Sequence, residues 1–209
     1  MKLFCKGIGV EHPDITNASR AMKSKEAKLC ADAGVKFQEF IVGNDGIALS
    51  NSLKGSHFKI SIAHIAAALA ANLPYQMGEN AEPSPNMLKT WTDVDSYTAK
   101  RTGGALAGLP NIPVTVMVPP PTSGTRDAMG SLFMNAGWKK LGLEGKGYKK
   151  LREDGAAIEV GENDSLIIEK LAADENMFGV FGYSFFDQNR DKVQASIIDG
   201  VELNFENIA

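Results

Sequence analysis

One stretch near the middle of the 209-residue chain constrains the fold most: a β-branched run, a proline-rich loop and a helix start in direct succession. Residues 114–118 favour a buried strand, and residues 126–136 favour a helix that Gly137 would end. The prolines at 119–121 fix φ and stiffen the loop between them. A strand that passes through a short loop into a helix is the repeating unit of α/β folds.

The helix start in this stretch carries the groups that hold a small oxyanion. The first amides of a helix have no partner within the helix and carry the positive end of its dipole. Gly124 lets a ligand approach the backbone, Ser123 and Thr125 supply hydroxyls, and Arg126 supplies a charged planar fork. The alternative is a plain helix start whose serine only caps it. Both interpretations are open at this point.

A second stretch repeats the same order of residue types. Ser19 and Arg20 precede a segment, 24–33, that has a helical composition and that Gly34 would end. The simpler interpretation is a solvated arginine after a capping serine. The repetition of hydroxyl, arginine and helix start favours a contribution to the same kind of anion site.

Composition excludes some classes of function. The net charge of −3 and the pI of about 5.7 leave no basic surplus for a nucleic-acid backbone. No apolar run reaches the roughly 18 residues that a membrane span needs. No signal peptide is visible, which taken alone predicts a cytosolic protein. His12, His57 and His64 lack ligand spacing, so no metal site is predicted.

Cys5 and Cys30 are the two cysteines of the chain, and they do not form a CxxC motif. They fit either two reduced core thiols or one disulfide, and their spacing does not decide between these.

The rest of the chain alternates strands and helices, which predicts an α/β fold with mainly parallel sheets. Between 74 and 112 we expect a long irregular connection around a short segment at 91–94, with a boundary near Asn111. Residues 139–150 favour a surface loop over a phosphate patch, and Asn163 or Asp164 suits an N-cap more than a ligand contact. The predicted strands are 35–42, 46–49, 157–160, 178–183 and 193–198, and the further helices are 58–71 and 165–173.

Several segments together resemble one family. The chain is similar to the phosphate-binding proteins that serve ABC transporters, in the form found in many Gram-negative bacteria. The resemblance runs in family order across nearly the whole chain and rests on residues 4–9, 13–20, 46–51, 119–128, 161–164, 178–185 and 205–209.

This resemblance implies an α/β, two-lobed periplasmic-binding-protein-like (type II) fold with an incomplete first lobe. The first lobe would hold 1–112 and 181–209, the second lobe 113–180, and the ligand would lie between lobes that close by hinge bending. Family members usually have a signal peptide, an N-terminal anion loop and further C-terminal structure, so the chain is expected to lack both ends. The resemblance implies a periplasmic location.

The resemblance also implies a ligand set. Ser123, Gly124 and Thr125 match the Ser-Gly-Thr that holds phosphate in the family, and Ser19 matches a residue of the first-lobe cleft. Arg20 stands where well-studied members have an aspartate that accepts the phosphate proton. Pro119 stands where they have an arginine, a charge that Arg126 is expected to supply, with Asp127 available to orient an arginine.

The expected function is therefore binding of inorganic phosphate and its delivery to ABC permease subunits, with no catalysis and no cofactor. The first alternative is an enzyme for phosphate esters or nucleotides, with Arg126 as charge clamp and Asp14, Asp45 or Asp127 as base or metal ligand. The absence of a GxxxxGK[ST] motif speaks against it. The second alternative is a receptor fragment that binds nothing.

Overall fold

The computed structural model describes residues 1–18, 20–78, 81–161 and 163–208. The chain divides into two compact units, residues 1–44 and residues 45–209.

The first unit is held by a disulfide. A short 3₁₀ turn, Phe4–Lys6, and the helix α1, Ser24–Asp32, bring Cys5 and Cys30 together, and the two sulfurs are bonded. Of the two alternatives for these cysteines, the structure shows the disulfide. Gly34, at φ +71°, follows the end of α1 as predicted.

The strand predicted over residues 35–42 is wrong. These residues have no regular secondary structure, and Phe40, Ile41 and Val42 are between 77% and 98% exposed. A segment rich in β-branched and aromatic residues forms a strand only when another strand supplies hydrogen-bond partners. No strand is present within the described part of this unit.

The second unit contains the sheets and the remaining helices. Its strands are β1 (Ile47–Ser52), β2 (Lys59–Ile60), β3 (Asn72–Leu73), β4 (Ser84–Pro85), β5 (Val116–Val118), β6 (Ala157–Glu159), β7 (Phe178–Gly182), β8 (Val193–Ala195) and β9 (Ile197–Ile198). Its helices are α2 (Ile62–Leu69), α3 (Trp91–Thr102), α4 (Gly124–Met129), α5 (Ala136–Lys140), α6 (Asp164–Ala173) and α7 (Tyr183–Gln188).

The main sheet has the order β6-β5-β7-β1-β8. β5 is parallel to both β6 and β7, whereas β1 is antiparallel to β7 and β8. The α/β class is confirmed, but the expectation of a mainly parallel sheet is wrong because β1 runs against both of its neighbours. The strands β1 and β7 share this sheet within the 45–209 unit, so the two compact units differ from the predicted lobes, 1–112 with 181–209 and 113–180. That lobe assignment stays a prediction.

The central strands alternate their side chains between two apolar clusters. In β5, Val116 and Val118 join one cluster with α2, while Met117 joins the other with α6 and α7. In β7, Phe178 joins the cluster with α2, and Phe181 joins the cluster with α6 and α7. This period of two places helices on both faces of the sheet.

Gly179 in β7 lies where α6 packs against the sheet. A Cβ added there would come within 2.7 Å of Ile167 Cγ2 and 3.2 Å of Leu171 Cδ1. Gly179 therefore permits the close approach of α6 to the sheet.

The segment 91–94 is the start of a helix rather than part of an irregular connection. The Thr90 hydroxyl accepts a 3.2 Å hydrogen bond from the Asp93 amide, and Gly103, at φ +69°, ends the helix α3. Trp91 is fully buried, with its ring centroid 5.2 Å from that of Phe178. The amphipathic signal of this helix is weak in sequence because Asp95 and Thr98 are buried with its apolar residues.

The predicted helix at 126–136 is longer than expected and does not end at Gly137. The helical run passes from α4 through a π segment, Gly130–Asn135, into α5. Gly137 lies inside α5, where an added Cβ would clash with the carbonyl oxygen of Ile62 in α2. The glycine therefore permits two helices to pack closely, and Gly142, at φ +69°, follows the end of the run.

The predicted helix at 58–71 is shorter, because β2 takes up residues 59–60 and pairs in parallel with β9. Helix α2 then runs through the core with Ala66, Ala67 and Leu69 fully buried. No helix in the described ranges has the length and apolarity that a membrane span needs.

Candidate functional site

A polar cavity of about 330 Å³ lies where the parallel strands β5 and β6 end. Ligand sites of open α/β sheets commonly lie at the carboxyl ends of their strands. The loop after β5 and the segment after β6 form the walls. The lining residues are Pro119, Pro120, Thr122, Ser123, Gly124, Thr125, Gly161 and Asp164.

The loop after β5 presents the start of a long helical run to this cavity. The Ser123 amide donates a 3.0 Å hydrogen bond to the Pro120 carbonyl, and the Ser123 hydroxyl accepts a 3.1 Å hydrogen bond from the Thr125 amide. Ser123 is therefore the N-cap, as the simpler interpretation holds. It also lines the cavity together with Gly124 and Thr125, so amides, hydroxyls and a positive helix end surround one space.

The Arg126 guanidinium forms hydrogen bonds with a backbone carbonyl and a carboxylate of the same chain. Its Nη1 donates a 2.6 Å hydrogen bond to the Pro119 carbonyl, and its Nη2 contacts Glu159 Oε1 at 3.0 Å. The acidic partner of Arg126 is thus Glu159, at the end of β6, rather than Asp127. Arg126 does not line the cavity, and its guanidinium ties the start of the loop to the neighbouring strand.

The segment after β6 brings an acidic residue to the cavity. Asn163 caps α6, because its side-chain oxygen accepts a 3.3 Å hydrogen bond from the Leu166 amide. Asp164, the first residue of α6, lines the cavity, and burial raises the pKa of its carboxyl. The sequence favours a capping role over a ligand contact for Asn163 or Asp164; Asn163 is the cap, whereas Asp164 lines the cavity. The pairing of β5 with β6 is the signal that places both helix starts at one edge.

Arg20 lies in the 1–44 unit and is paired there. Its Nη1 and Nη2 contact the two carboxylate oxygens of Glu26 at 2.9 Å each, and Nη1 also donates to the Ala21 carbonyl. The bidentate pair, with a further hydrogen bond from the Lys23 amide, lowers the pKa of Glu26 to about 2. The other predicted residue of this stretch, Ser19, lies outside the described residues.

A serine, a histidine and an aspartate also form a line in the core, away from the cavity lining. His64 Nδ1 lies 2.9 Å from Ser61 Oγ, and His64 Nε2 lies 3.2 Å from Asp95 Oδ1. The Ser61 backbone amide donates to the same Nδ1 at 3.1 Å, so that nitrogen is an acceptor.

The role of this line of residues is structural. The Asp95 carboxylate accepts hydrogen bonds from three successive amides, those of residues 107–109. Both His64 and Asp95 are more than nine-tenths buried. They join α2 and α3 to the loop at 107–109. Among the described residues, no cluster of three His, Cys, Asp or Glu side chains is arranged to hold a metal ion.

Comparison with known proteins gives a family for the whole chain. Residues 1–209 match the family model of the PBP superfamily domain. The protein SphX of Synechococcus elongatus is 25% identical over 194 residues, which are 93% of this chain and 45% of SphX. The phosphate-binding protein PstS of Staphylococcus saprophyticus is 24% identical over 185 residues, 87% of this chain and 44% of that protein. The chain thus spans less than half the length of these curated relatives.

Solved structures share the fold at low sequence identity. PstS from Borrelia burgdorferi superposes with a TM-score of 0.58 at 14% identity, covering 91% of this chain and 59% of that one. A putative phosphate ABC transporter substrate-binding protein with bound phosphate from Clostridium perfringens gives a TM-score of 0.52 at 24% identity, covering 91% and 58%. These likenesses agree with the α/β class and with an incomplete binding-protein fold.

Proposed function

Because the chain belongs to the PBP superfamily, we propose that it is the part of a substrate-binding protein that holds inorganic phosphate. The observation that carries the proposal is the cavity at the ends of β5 and β6, with Ser123, Gly124 and Thr125 on its wall. A helix start that offers amides and hydroxyls to one small polar space is suited to a tetrahedral oxyanion. The relatives PstS and the C. perfringens protein are named for phosphate.

Three further residues, Ser19, Arg20 and Arg126, complete the proposed site. Arg126 contributes by holding the loop in place through Pro119 and Glu159. Ser19 and Arg20 would contribute from the other side of a cleft, with the lobes 1–112 plus 181–209 and 113–180 closing on the ligand. The bidentate contact of Arg20 with Glu26 within the 1–44 unit holds its guanidinium in one orientation.

The proposed activity is binding and release, without catalysis. The protein would deliver phosphate to the permease subunits of an ABC transporter, and the ligand would leave chemically unchanged. We place the protein in the periplasm. The Cys5–Cys30 disulfide supports this location, because disulfides persist in oxidising compartments.

The test is isothermal titration of phosphate into the purified chain, with sulfate as the parallel ligand. The variant Ser123→Ala removes a hydroxyl from the cavity wall, and we expect phosphate affinity to fall about tenfold, as for the loss of one charge-assisted hydrogen bond. The matched control is Ser131→Ala in the same helical run. The Ser131 hydroxyl donates to the carbonyls of Asp127 and Ala128 and does not line the cavity.

Two outcomes contradict the proposal. The first is a folded wild-type chain that shows no saturable heat with millimolar phosphate, which favours a non-binding fragment. The second is an equal loss of affinity in Ser123→Ala and Ser131→Ala. Circular dichroism and Tm of each variant are recorded beside the titration, because removal of an N-cap costs about 1 kcal/mol of stability.

A further inference from the structure

We propose that a patch of exposed lysines on the 45–209 unit binds the surface of an anionic phospholipid bilayer. Four residues form this lysine patch: Lys139, Lys146, Lys149 and Lys150. None of the four lines the cavity at the ends of β5 and β6, so the proposal is independent of the ligand assigned to that cavity.

The first observation is a local excess of positive charge. Residues 139–150 contain five lysines and one glutamate, although the whole chain has a net charge of −3. Within the described ranges, the four lysines of the patch and the acidic residue between them, Glu144, form no ion pair. The fifth lysine, Lys140, pairs with Asp199. The positive charge of the patch is therefore available to a partner outside the chain.

The second observation is that the core side of this segment is anchored, which leaves its lysines on the outside. The Trp138 Nε1 donates a 2.8 Å hydrogen bond to the Glu144 carbonyl, and the Ala71 amide donates a 2.9 Å hydrogen bond to the Lys150 carbonyl. Three apolar residues of the segment pack against the cluster that contains α2: Leu143, Tyr148 and Leu151. Because these contacts fix the backbone against the core, the four ammonium groups are held together on one stretch of surface.

Stabilisation of a helix end explains only one of the four lysines. Lys139 lies in the last turn of α5, where a cation suits the negative end of the helix dipole. Lys146 precedes a 3₁₀ turn of three residues, Lys149 ends it and Lys150 follows it. So short a turn has little dipole to offset. The patch therefore needs another explanation.

The chemistry of lysine indicates what the partner is. An ammonium is a compact point charge on a flexible stem, whereas the planar fork of arginine suits a fixed carboxylate. Four lysines on one segment suit headgroup phosphates that rearrange in a fluid surface, and each lysine near an anionic bilayer strengthens binding about fivefold. Half-buried Tyr148 lies beside Lys149, and tyrosine favours the boundary between headgroups and water. These features favour a bilayer over an acidic protein.

The experiment measures binding of the purified chain to sedimenting phosphatidylglycerol vesicles, with phosphatidylcholine vesicles as the neutral reference. We expect saturable binding to phosphatidylglycerol alone. Affinity should fall at least about tenfold between about 0.1 M and about 1 M salt, because screening shortens the reach of each charge. The patch variant replaces four lysines and should lower affinity for these vesicles at least about tenfold. Its substitutions are Lys139→Gln, Lys146→Gln, Lys149→Gln and Lys150→Gln.

The matched control removes the same number of charges from exposed lysines elsewhere in the unit. Its substitutions are Lys54→Gln, Lys59→Gln, Lys170→Gln and Lys192→Gln. We expect it to retain vesicle affinity within about threefold, because charges beyond a Debye length of the bilayer are screened. Phosphate titration of the wild type and both variants runs beside this test. Absence of phosphate binding in the wild type would overturn the proposed function and leave the lysine patch assignment standing.

Three results would overturn the assignment of the lysine patch. The first is equal binding of the wild type to both kinds of vesicle, and the second is an equal loss of affinity in the patch variant and the control. The third is binding to polyglutamate as tight as to phosphatidylglycerol with the same dependence on the patch, which would assign an acidic peptide instead. Should the patch variant fail to fold, Lys139→Gln/Lys146→Gln and Lys149→Gln/Lys150→Gln replace it, each with an expected loss of at least about threefold.

Discussion

Arg126 donates a 2.6 Å hydrogen bond to the carbonyl oxygen of Pro119, seven residues earlier in the chain. The arginine that follows the Ser-Gly-Thr sequence thus holds the beginning of the same loop. Its second contact, to Glu159, extends this hold to the neighbouring strand β6.

We predict that Arg126→Ala weakens phosphate binding at least about tenfold, because the loop loses the guanidinium that joins the Pro119 carbonyl to Glu159. Glu159→Gln keeps the bond to Pro119 and should cost less than threefold. Titration of both variants measures this. Tighter phosphate binding in Glu159→Gln would instead show that Arg126 contacts the ligand directly, and unchanged affinity in Arg126→Ala would remove Arg126 from the site.

We predict that Gly137→Ala destabilises the protein by about 1–3 kcal/mol, because its methyl group would push α5 away from the Ile62 carbonyl. Gly130→Ala is the matched control. It lies in the same helical run with open space around an added Cβ, and should stabilise by about 0.5–1 kcal/mol. Urea unfolding gives both values. Equal stabilities of the two variants would contradict the close packing of α2 on α5.

We predict that Asp95 makes the protein sensitive to acid. Burial raises the pKa of this carboxyl, but hydrogen bonds from the amides of Ala107, Leu109 and Gly108 and from His64 lower it more, so the net shift is downward. Its stabilising contribution is therefore complete above the unfolded-state pKa of about 3.9 and is lost as the pH falls through the lower folded-state value.

The measurement is the free energy of unfolding between pH 7 and pH 2. Asp95→Asn should lower stability by about 2 kcal/mol at neutral pH, because three amides lose a charged acceptor. It should also flatten the decline below pH 4. Glu169→Gln, at an exposed site, serves as control. A wild-type decline that Asp95→Asn leaves unaltered would place the acid sensitivity elsewhere.

We predict that reduction of the Cys5–Cys30 disulfide destabilises the 1–44 unit by about 3.5 kcal/mol, the loop-closure value for cysteines 25 residues apart. Mass spectrometry after alkylation should show two added groups only after reduction. Proteolysis within the first 44 residues should then accelerate, and the double variant Cys5→Ser/Cys30→Ser should behave like the reduced protein. Alkylation of both cysteines without reductant would contradict the disulfide.

Local signals in the sequence were sufficient for several elements. Gly34 after α1, the Asn163 cap before α6 and the apolar run of β7 each depend on a few adjacent residues, and each is where it was expected. The loop at 119–123 belongs to this group, since strand, prolines and Ser-Gly-Thr are consecutive.

Features that depend on distant residues could not be predicted in this way. A glycine at position 137 predicts the end of a helix, but here it permits close packing against the Ile62 carbonyl on another helix. The antiparallel direction of β1 depends on strands from the last part of the chain. Asp164 lies at the cavity only because β6 pairs with β5, and the residues near position 164 do not indicate this pairing.

The pairing of β1 with β7 and β8 also has a consequence for biosynthesis. Leu49 pairs with Val180, and Asn51 pairs with Gln194, so β1 emerges from the ribosome long before either neighbour exists. Until then both edges of β1 lack hydrogen-bond partners, a condition that favours aggregation. The Cys5–Cys30 loop, by contrast, spans only nearby residues and can close early. The sheet therefore forms only after β7 and β8 have been synthesised, and holding chaperones would be needed most in the interval before these strands appear.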